Sequence, residues 1–338
     1  MAGRRRPTIK TVAARAGVGR TTVSRVINGS DLVSDAARAA VLAAIAELKY
    51  VPNSVARGLV TSRTDAIALV IPESESRLGS EPYFSAVIRG VSTSLAASGT
   101  QLQLVLVRDQ SELDRLTETV AARRVDGVLL VSVHAKDPLP GLLEEMGLPT
   151  VLAGRRSPDE SLSHVHSDNA GGAAAAVRHL MDRGRRTIAT IAGPQDMDVG
   201  RARLGGWVEA LAGAGRPHGD PLVAVSDFTE EGGERAMRGL LGEAPDLDAV
   251  FAASDVMAAG ALLELRRQGR RVPDDIAVIG FEDSIIARHT SPPLTSVRQP
   301  VEEIGETIAR VLLEEIADPD APRRHLVLPT ELVVRESS

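Results

Sequence analysis

Residues 8–29 read TIKTVAARAGVGRTTVSRVING, and this stretch decides the architecture of the amino-terminal part of the chain. Thr8, after Pro7, can cap free backbone N–H groups, and Ile9, Val12 and Ala13 then share one helical face. Gly17-Val18-Gly19 interrupts the pattern. Val23, Val26 and Ile27 resume it until Asn28-Gly29 stops the second segment. A third helix is predicted over 35–48, capped by Ser34 and ending before Tyr50-Val51-Pro52-Asn53. Two short helices joined by a glycine-bearing turn cannot bury their apolar faces alone, and the third closes a small core. In such a helix-turn-helix the second helix enters the major groove with its first turn against base edges. That turn offers Arg20 and Thr21, with Arg25 one turn later. Arginine reads guanine through O6 and N7, and threonine bonds a base edge or touches a thymine methyl. Thr8, Thr22, Ser24, Asn28 and Ser34 offer hydroxyls and an amide to phosphates.

The charge distribution agrees with a nucleic-acid-facing head. The net charge is −6, yet residues 1–63 carry 11 Lys and Arg against 3 Asp and Glu, whereas the remainder carries 28 against 42. A head of +8 on a body of −14 places the polyanion partner at the head and leaves the body another task. The 338 residues suffice for two to three domains at roughly 150 residues each. Cysteine is absent, which excludes disulfides, thiol nucleophiles and zinc-cysteine centres. No apolar run approaches the roughly 18 residues of a membrane span, and MAGRRRPTIK lacks an apolar signal core, so a cytoplasmic chain without membrane contact is expected.

From residue 65 onward, short β-branched runs alternate with amphipathic segments. Strands are predicted at 66–71, 101–107, 127–131, 150–153, 188–192, 222–225, 249–252 and 276–279. Helices are predicted at 83–97, 111–122, 169–182, 200–214, 230–241, 253–267 and 301–316. This alternation demands parallel sheets covered by helices on both faces, and so many strands exceed one comfortable core. The stretches 66–153 and 188–279 share a βα order, which implies two like lobes with ligand held at facing strand ends.

The run TIKTVAARAGVGRTTVSRVINGSDLVSDAARAAVLAAIAELKYVPNSVARGL, residues 8–59, resembles the headpiece of the lactose-repressor (LacI/GalR) family of bacterial transcription regulators. The resemblance assigns base reading to Arg20, Thr21 and Arg25. It departs at Gly19, where the family commonly has serine. It also makes the segment from Asn53 to Leu59 a hinge helix, with Val55 and Ala56 on its pairing face and Leu59 as a wedge in the minor groove. Gly58 there is a poorer helix former than is usual in the family.

The body is similar to the periplasmic sugar-binding-protein fold that the same family attaches to its headpiece, through HSDNAGG at 166–172, IAGP at 191–194, RLGGW at 203–207, ASDVM at 253–257, IGFED at 279–283 and PLTS at 293–296. The expected fold is therefore α/β: an all-α helix-turn-helix headpiece over 1–52, a hinge helix and linker over 53–64, and a two-lobe periplasmic-binding-protein-like effector core over 65–338. One lobe is expected to hold about 65–165 and 296–325, the other about 166–295 and 326–338. MAGRRRPT, AGVGRTTVSRVINGSD and IATIAGPQDM are most similar to actinobacterial repressors answering to cellobiose or related oligosaccharides.

By this resemblance Arg203 is a ligand-binding arginine, and Phe228 and the Tyr83-Phe84 pair supply stacking aromatics. Ser254 stands where asparagine is common, and Glu282 where an aspartate accepts from sugar hydroxyls. Both departures argue against carrying over a galactoside effector. Trp207 joins these candidates as one of six aromatic residues in the body, whereas Phe251, inside a strand, is expected in the core. Asp168 and Asp255 are expected to cap helices rather than touch ligand. His164 and His166 are expected as a surface pair, with no metal and no cofactor.

The resemblance implies a homodimer on a pseudo-palindromic duplex, whose operator affinity is controlled by a small sugar between the lobes through reciprocal coupling. With no leucine heptad after Val334, a dimer is expected rather than a tetramer. Two rivals stand beside this reading. A purine effector suits one branch of the family. A sugar-acting enzyme is disfavoured because no G-x-G-x-x-G follows a strand and no P-loop, G-x-S-x-G or H-E-x-x-H motif occurs.

Overall fold

The computed structural model describes residues 7–27, 30, 32–50 and 63–338. Asn28, Val55, Ala56 and Leu59 lie outside these residues. Packing divides the chain into two units, Met1–Asp65 and Ala66–Ser338.

In the first unit, α1 spans Ile9–Ala16, α2 Arg20–Ile27 and α3 Asp35–Leu48. Thr8 caps α1, its hydroxyl accepting from the Thr11 N–H, and Gly17 ends the helix with φ 67°, a left-handed value that costs glycine nothing. Ser34 caps α3 by accepting from the Ala37 N–H. Val12, Ala13, Val23, Val26, Val41 and Ala44 are buried together at the centre. The apolar spacing noted in the sequence is thus the packing face of each helix.

The second unit contains two six-stranded sheets. The first joins β1 (Ala66–Ile71), β2 (Gln101–Leu106), β3 (Gly127–Val131), β4 (Thr150–Ala153), β5 (Ser163–Ser167) and β11 (His325–Leu328) in the order β11-β5-β4-β3-β1-β2, parallel throughout. The second joins β6 (Ile188–Ala192), β7 (Val223–Val225), β8 (Ala249–Ala252), β9 (Ala277–Glu282), β10 (Thr295–Arg298) and β12 (Glu331–Val333) in the order β12-β10-β9-β8-β6-β7. Only β12 runs antiparallel there.

Central strands are buried on both faces because helices cover both. Along β1, Ile67, Leu69 and Ile71 join one core while Ala66, Ala68 and Val70 join the other. The first core lies under α5 (Pro82–Ser98) and α13 (Val301–Ala317), and the second under α6 (Gln110–Ala121) and α7 (Leu139–Glu145). A short α4 (Glu75–Ser80) precedes α5. Helices α5 and α13 cross so closely that a Cβ on Gly90 would lie 2.0 Å from the Glu302 carbonyl oxygen, and one on Gly305 would lie 2.5 Å from that of Val87. The other lobe packs α8 (Asn169–Asp182), α9 (Asp198–Gly213), α10 (Glu230–Glu243), α11 (Asp255–Arg267) and α12 (Ile285–His289) around a core that includes Trp207, Phe251 and Phe281. No helix among the described residues is long and apolar enough to cross a membrane.

The chain passes between the sheets after Ser167, after Arg298 and after Leu328. Each crossing falls slightly later than the sequence placed it. His166 and Ser167 pair with Val327 and Leu328 in the first sheet, whereas Ser296 to Arg298 pair within the second. Strand pairing, rather than composition, holds those residues to their lobes. Strands β5, β10, β11 and β12 carry no apolar β-branched run, so periodicity did not reveal them.

Candidate functional site

The headpiece presents one polar face. Val23 and Val26 anchor α2 in the core, and this leaves Arg20, Thr21 and Arg25 exposed on the opposite side, with Thr22 and Ser24 half-buried beside them. Within the described residues neither Arg20 nor Arg25 enters an ion pair. Two bidentate donors stand about 1.4 helical turns apart, ready for an external acceptor. The Thr8 and Ser34 hydroxyls already accept from backbone N–H groups at 3.4 Å and hold helix starts in place, and the Thr8 hydroxyl also lies 3.2 Å from that of Thr11.

In the second unit, the carboxyl ends of both sheets face a common cavity of about 710 Å³, counting its mouth. Strand ends are where open α/β sheets hold ligands. Its wall includes Tyr83 and Phe84 from the start of α5, Arg203 from α9, Phe228 after β7, Glu282 at the end of β9 and Gln299 after β10. Phe228 and Glu282 have φ of 63° and 112°, a conformation unfavourable for side-chain-bearing residues that the surrounding packing must enforce.

Arg203 is 3% exposed and organises the polar part of this wall. Its Nε donates to Asn169 Oδ1 at 2.9 Å and its Nη1 to the Ala253 carbonyl at 2.6 Å, while its guanidinium lies 3.7 Å from the Phe281 ring centroid. The Glu282 carboxylate stands 3.8 Å away, beyond a direct hydrogen bond. Among the described residues it has no closer polar partner. Gln299 accepts through Oε1 from Ser167 at 3.1 Å, and its buried Nε2 has no partner. A carboxylate and an amide N–H are therefore left for an occupant that supplies hydroxyls.

A second cationic group flanks the aromatic part. Arg77 pairs with both Glu73 and Glu81 and lies 6.0 Å from the Phe84 ring centroid and 5.4 Å from that of Phe228. Burial pushes the Glu81 carboxyl up to about 7 against the pull of Arg77, and pushes Glu282 up to about 8 against the pull of Arg203. Burial also lowers Arg203 to about 10, with Glu282 opposing. Tyr83 is raised by burial and then by the nearby Glu282.

Two expected cavity residues stand elsewhere. Trp207 is fully buried in the core of its lobe and does not line the cavity. It follows Arg203 by one turn, which places it about 6 Å farther along α9 and away from the cavity. Ser254 is also buried, and its hydroxyl caps α11 by accepting from the Met257 N–H at 3.2 Å. The cap expected of Asp255 thus belongs to its neighbour. Asp255 instead accepts from the Ser284 N–H and the Ser296 hydroxyl. Asp168 does cap α8. His164 is buried rather than exposed, its ring stacked with that of His166 on the same strand and that of His325 on the neighbouring β11, and among the described residues no group of His, Asp and Glu is arranged to hold a metal. Arg77 and Gln299 were not anticipated. Arg77 sits in the short α4 and Gln299 just after β10, each a single polar residue without a periodic signal.

The lobes touch directly at the cavity mouth. The Ala135 N–H donates to the Asp196 carbonyl at 2.8 Å, Arg155 Nε to Asp198 at 2.8 Å, and Arg201 to the Arg156 carbonyl at 2.8 Å. His134 stands between Asp196 of one lobe and Glu73 of the other, at 2.7 Å and 3.6 Å.

Known proteins share both units. Residues 8–53 match the lacI family of bacterial regulatory proteins, and residues 177–338 match the periplasmic binding protein-like domain. The chain is 52% identical over 339 residues to the HTH-type transcriptional regulator CelR of Thermobifida fusca, with 100% of each chain covered. A solved structure of a CelR–cellobiose complex is 50% identical with a TM-score of 0.79, covering 98% of this chain and 100% of its own. The lac repressor dimer bound to operator and the anti-inducer ONPF is 27% identical with a TM-score of 0.85, covering 98% and 99%. The chain belongs to the lacI family of bacterial regulatory proteins, as a DNA-binding transcriptional regulator with an effector core rather than an enzyme.

Proposed function

We propose that this chain acts in the cytoplasm as a homodimeric repressor on a pseudo-palindromic operator, and that cellobiose or a related small oligosaccharide between the lobes sets its operator affinity. The observation carrying the effector half is the cavity wall. The unpaired Gln299 amide nitrogen and the Glu282 carboxylate beside Arg203 suit vicinal hydroxyls, while Tyr83, Phe84 and Phe228 form an apolar wall suited to a pyranose face. The solved CelR–cellobiose complex, 50% identical to this chain, supports the same choice. On the DNA side, Arg20, Thr21 and Arg25 read bases. Thr22, Ser24, Thr8, Ser34 and Asn28 meet the backbone, and Leu59 wedges the minor groove with Val55 and Ala56 pairing the hinges. Sugar that closes the lobes differently from the operator-bound form must weaken operator binding, and operator must weaken sugar binding by the same factor.

Fluorescence anisotropy of a labelled operator duplex, titrated with cellobiose, lactose and hypoxanthine beside calorimetry of each ligand, tests this reading. Cellobiose should bind and shift operator affinity, and the purine should do neither. A cellobiose that binds without shifting operator affinity, or a purine that does shift it, would refute it.

A further inference from the structure

The cavity wall accounts for Arg203, Glu282 and Gln299, but not for the chain of charges at the mouth. Asp196 follows β6 in one lobe, and His134 follows β3 in the other. His134 Nδ1 lies 2.7 Å from Asp196 Oδ2, and its Nε2 lies 3.6 Å from Glu73 Oε1. Glu73 accepts from the Ser132 hydroxyl at 2.5 Å and pairs with Arg77, whose guanidinium faces the Phe84 and Phe228 rings. A relay of alternating charge therefore runs from the rim of one lobe through His134 and Glu73 of the other to the aromatic wall, to which Phe84 and Phe228 come from opposite lobes. Asp196 is 62% exposed and His134 33%, whereas Glu73 and Arg77 are buried to 11% and 12%. The contact across the lobes sits at the solvent edge, where lobe opening breaks it first, and its inner end fixes a group that shapes the cavity.

We propose that His134 is a positioning residue for effector binding, clasping the lobes through Asp196 and setting Arg77 against the aromatic wall through Glu73. This rests on the reading of the cavity as the effector site. The carboxylate of Glu73 beside Nε2, and the hydrogen bond from Nδ1 to Asp196, hold the imidazole up at about 9, so at neutral pH it is charged, donates to Asp196 and forms an ion pair with Glu73. A charged imidazole between two carboxylates attracts both, the nearer through a charge-assisted hydrogen bond and the farther through its charge alone. The other polar contacts across the lobes, from Arg155, Arg201 and the Ala135 N–H, do not involve Arg77.

The test uses the full chain in two measurements. Calorimetry with cellobiose at neutral pH compares the native chain with His134→Gln, Asp196→Asn and the double variant. Each single change should weaken binding about tenfold, and the double should be no weaker than either single, because both remove one shared contact. Because the chain lacks cysteine, Arg124→Cys with His218→Cys places spin labels uniquely on the two lobes. Their distance distribution in the free protein should broaden and lengthen in His134→Gln. Native-like affinity and an unchanged distribution in that variant would overturn the clasp and leave the effector reading standing. If the native chain ignores every oligosaccharide, the effector reading fails instead. The spin-label distances then decide the clasp alone, with widening supporting it and no change overturning it.

Discussion

Replacing Glu282 with glutamine should flatten a pH dependence that the native cavity imposes on its effector. Burial holds the Glu282 carboxyl up at about 8, so it is mostly protonated in the free cavity at neutral pH and charged above pH 8. Effector hydroxyls donate best to the charged form, and binding must therefore displace a proton below pH 8. Apparent affinity then rises with pH and levels off above 8. With a carboxyl at about 8, the weakening factor is about 33 at pH 6.5 and about 1.3 at pH 8.5, a span of roughly 25-fold. Asp255, raised by burial to about 6, is largely ionised throughout, and Arg203 at about 10 and His134 at about 9 stay largely protonated. Glu81, at about 7, titrates inside the window and adds a few-fold slope of the same sign. Calorimetry with cellobiose at four pH values in that window should show the full slope in the native chain and only the Glu81 remainder in Glu282→Gln. A flat native profile, or a variant retaining the full slope, would remove Glu282 from the ligand contact.

The remaining expectations separate packing from recognition. Trp207→Phe should cost about 1–3 kcal/mol of stability in urea unfolding by shrinking a fully buried side chain, yet leave cellobiose affinity within about twofold; a large loss of affinity with native stability would return Trp207 to the cavity. Ser254→Ala should cost about 1 kcal/mol through loss of the α11 cap, again sparing the effector. Unchanged stability would show that the cap contributes nothing. Arg25→Ala should weaken specific operator binding by about 1–3 kcal/mol and relax preference at one or two base pairs in a randomised-site selection. An intact preference would withdraw α2 as the reading helix.

How far the sequence led depends on the kind of signal each residue carried. Helices α1 to α3 were legible to the residue because Thr8, Gly17 and Ser34 are local devices, decided within a few positions. The central strands were legible because burial on both faces demands continuous apolar runs such as AIALVI. Strand β5, with its two histidines, and the edge strands β11 and β12 owe their pairing to partners far along the chain. No local pattern announces them. The cavity followed the same division. Arg203 and Glu282 stood in motifs, whereas Arg77 and Gln299 gain their meaning only where segments distant in the chain meet. Trp207 and Ser254 were misplaced because a shared motif records neighbours in sequence and not the depth at which each side chain comes to rest.

The three passages of the chain between its sheets bear on how the protein matures. Strands β11 and β12 each complete a sheet begun far upstream, and the buried Ser337 hydroxyl still donates to the Val278 carbonyl. A nascent chain released by a premature stop before residue 325 would lack a strand from both lobes at once, while its headpiece helices had long been synthesised. Such fragments would expose the open edges of two parallel sheets, the kind of surface quality-control proteases and chaperones engage. Translation errors would then be cleared before they could occupy the operator without answering to a metabolite.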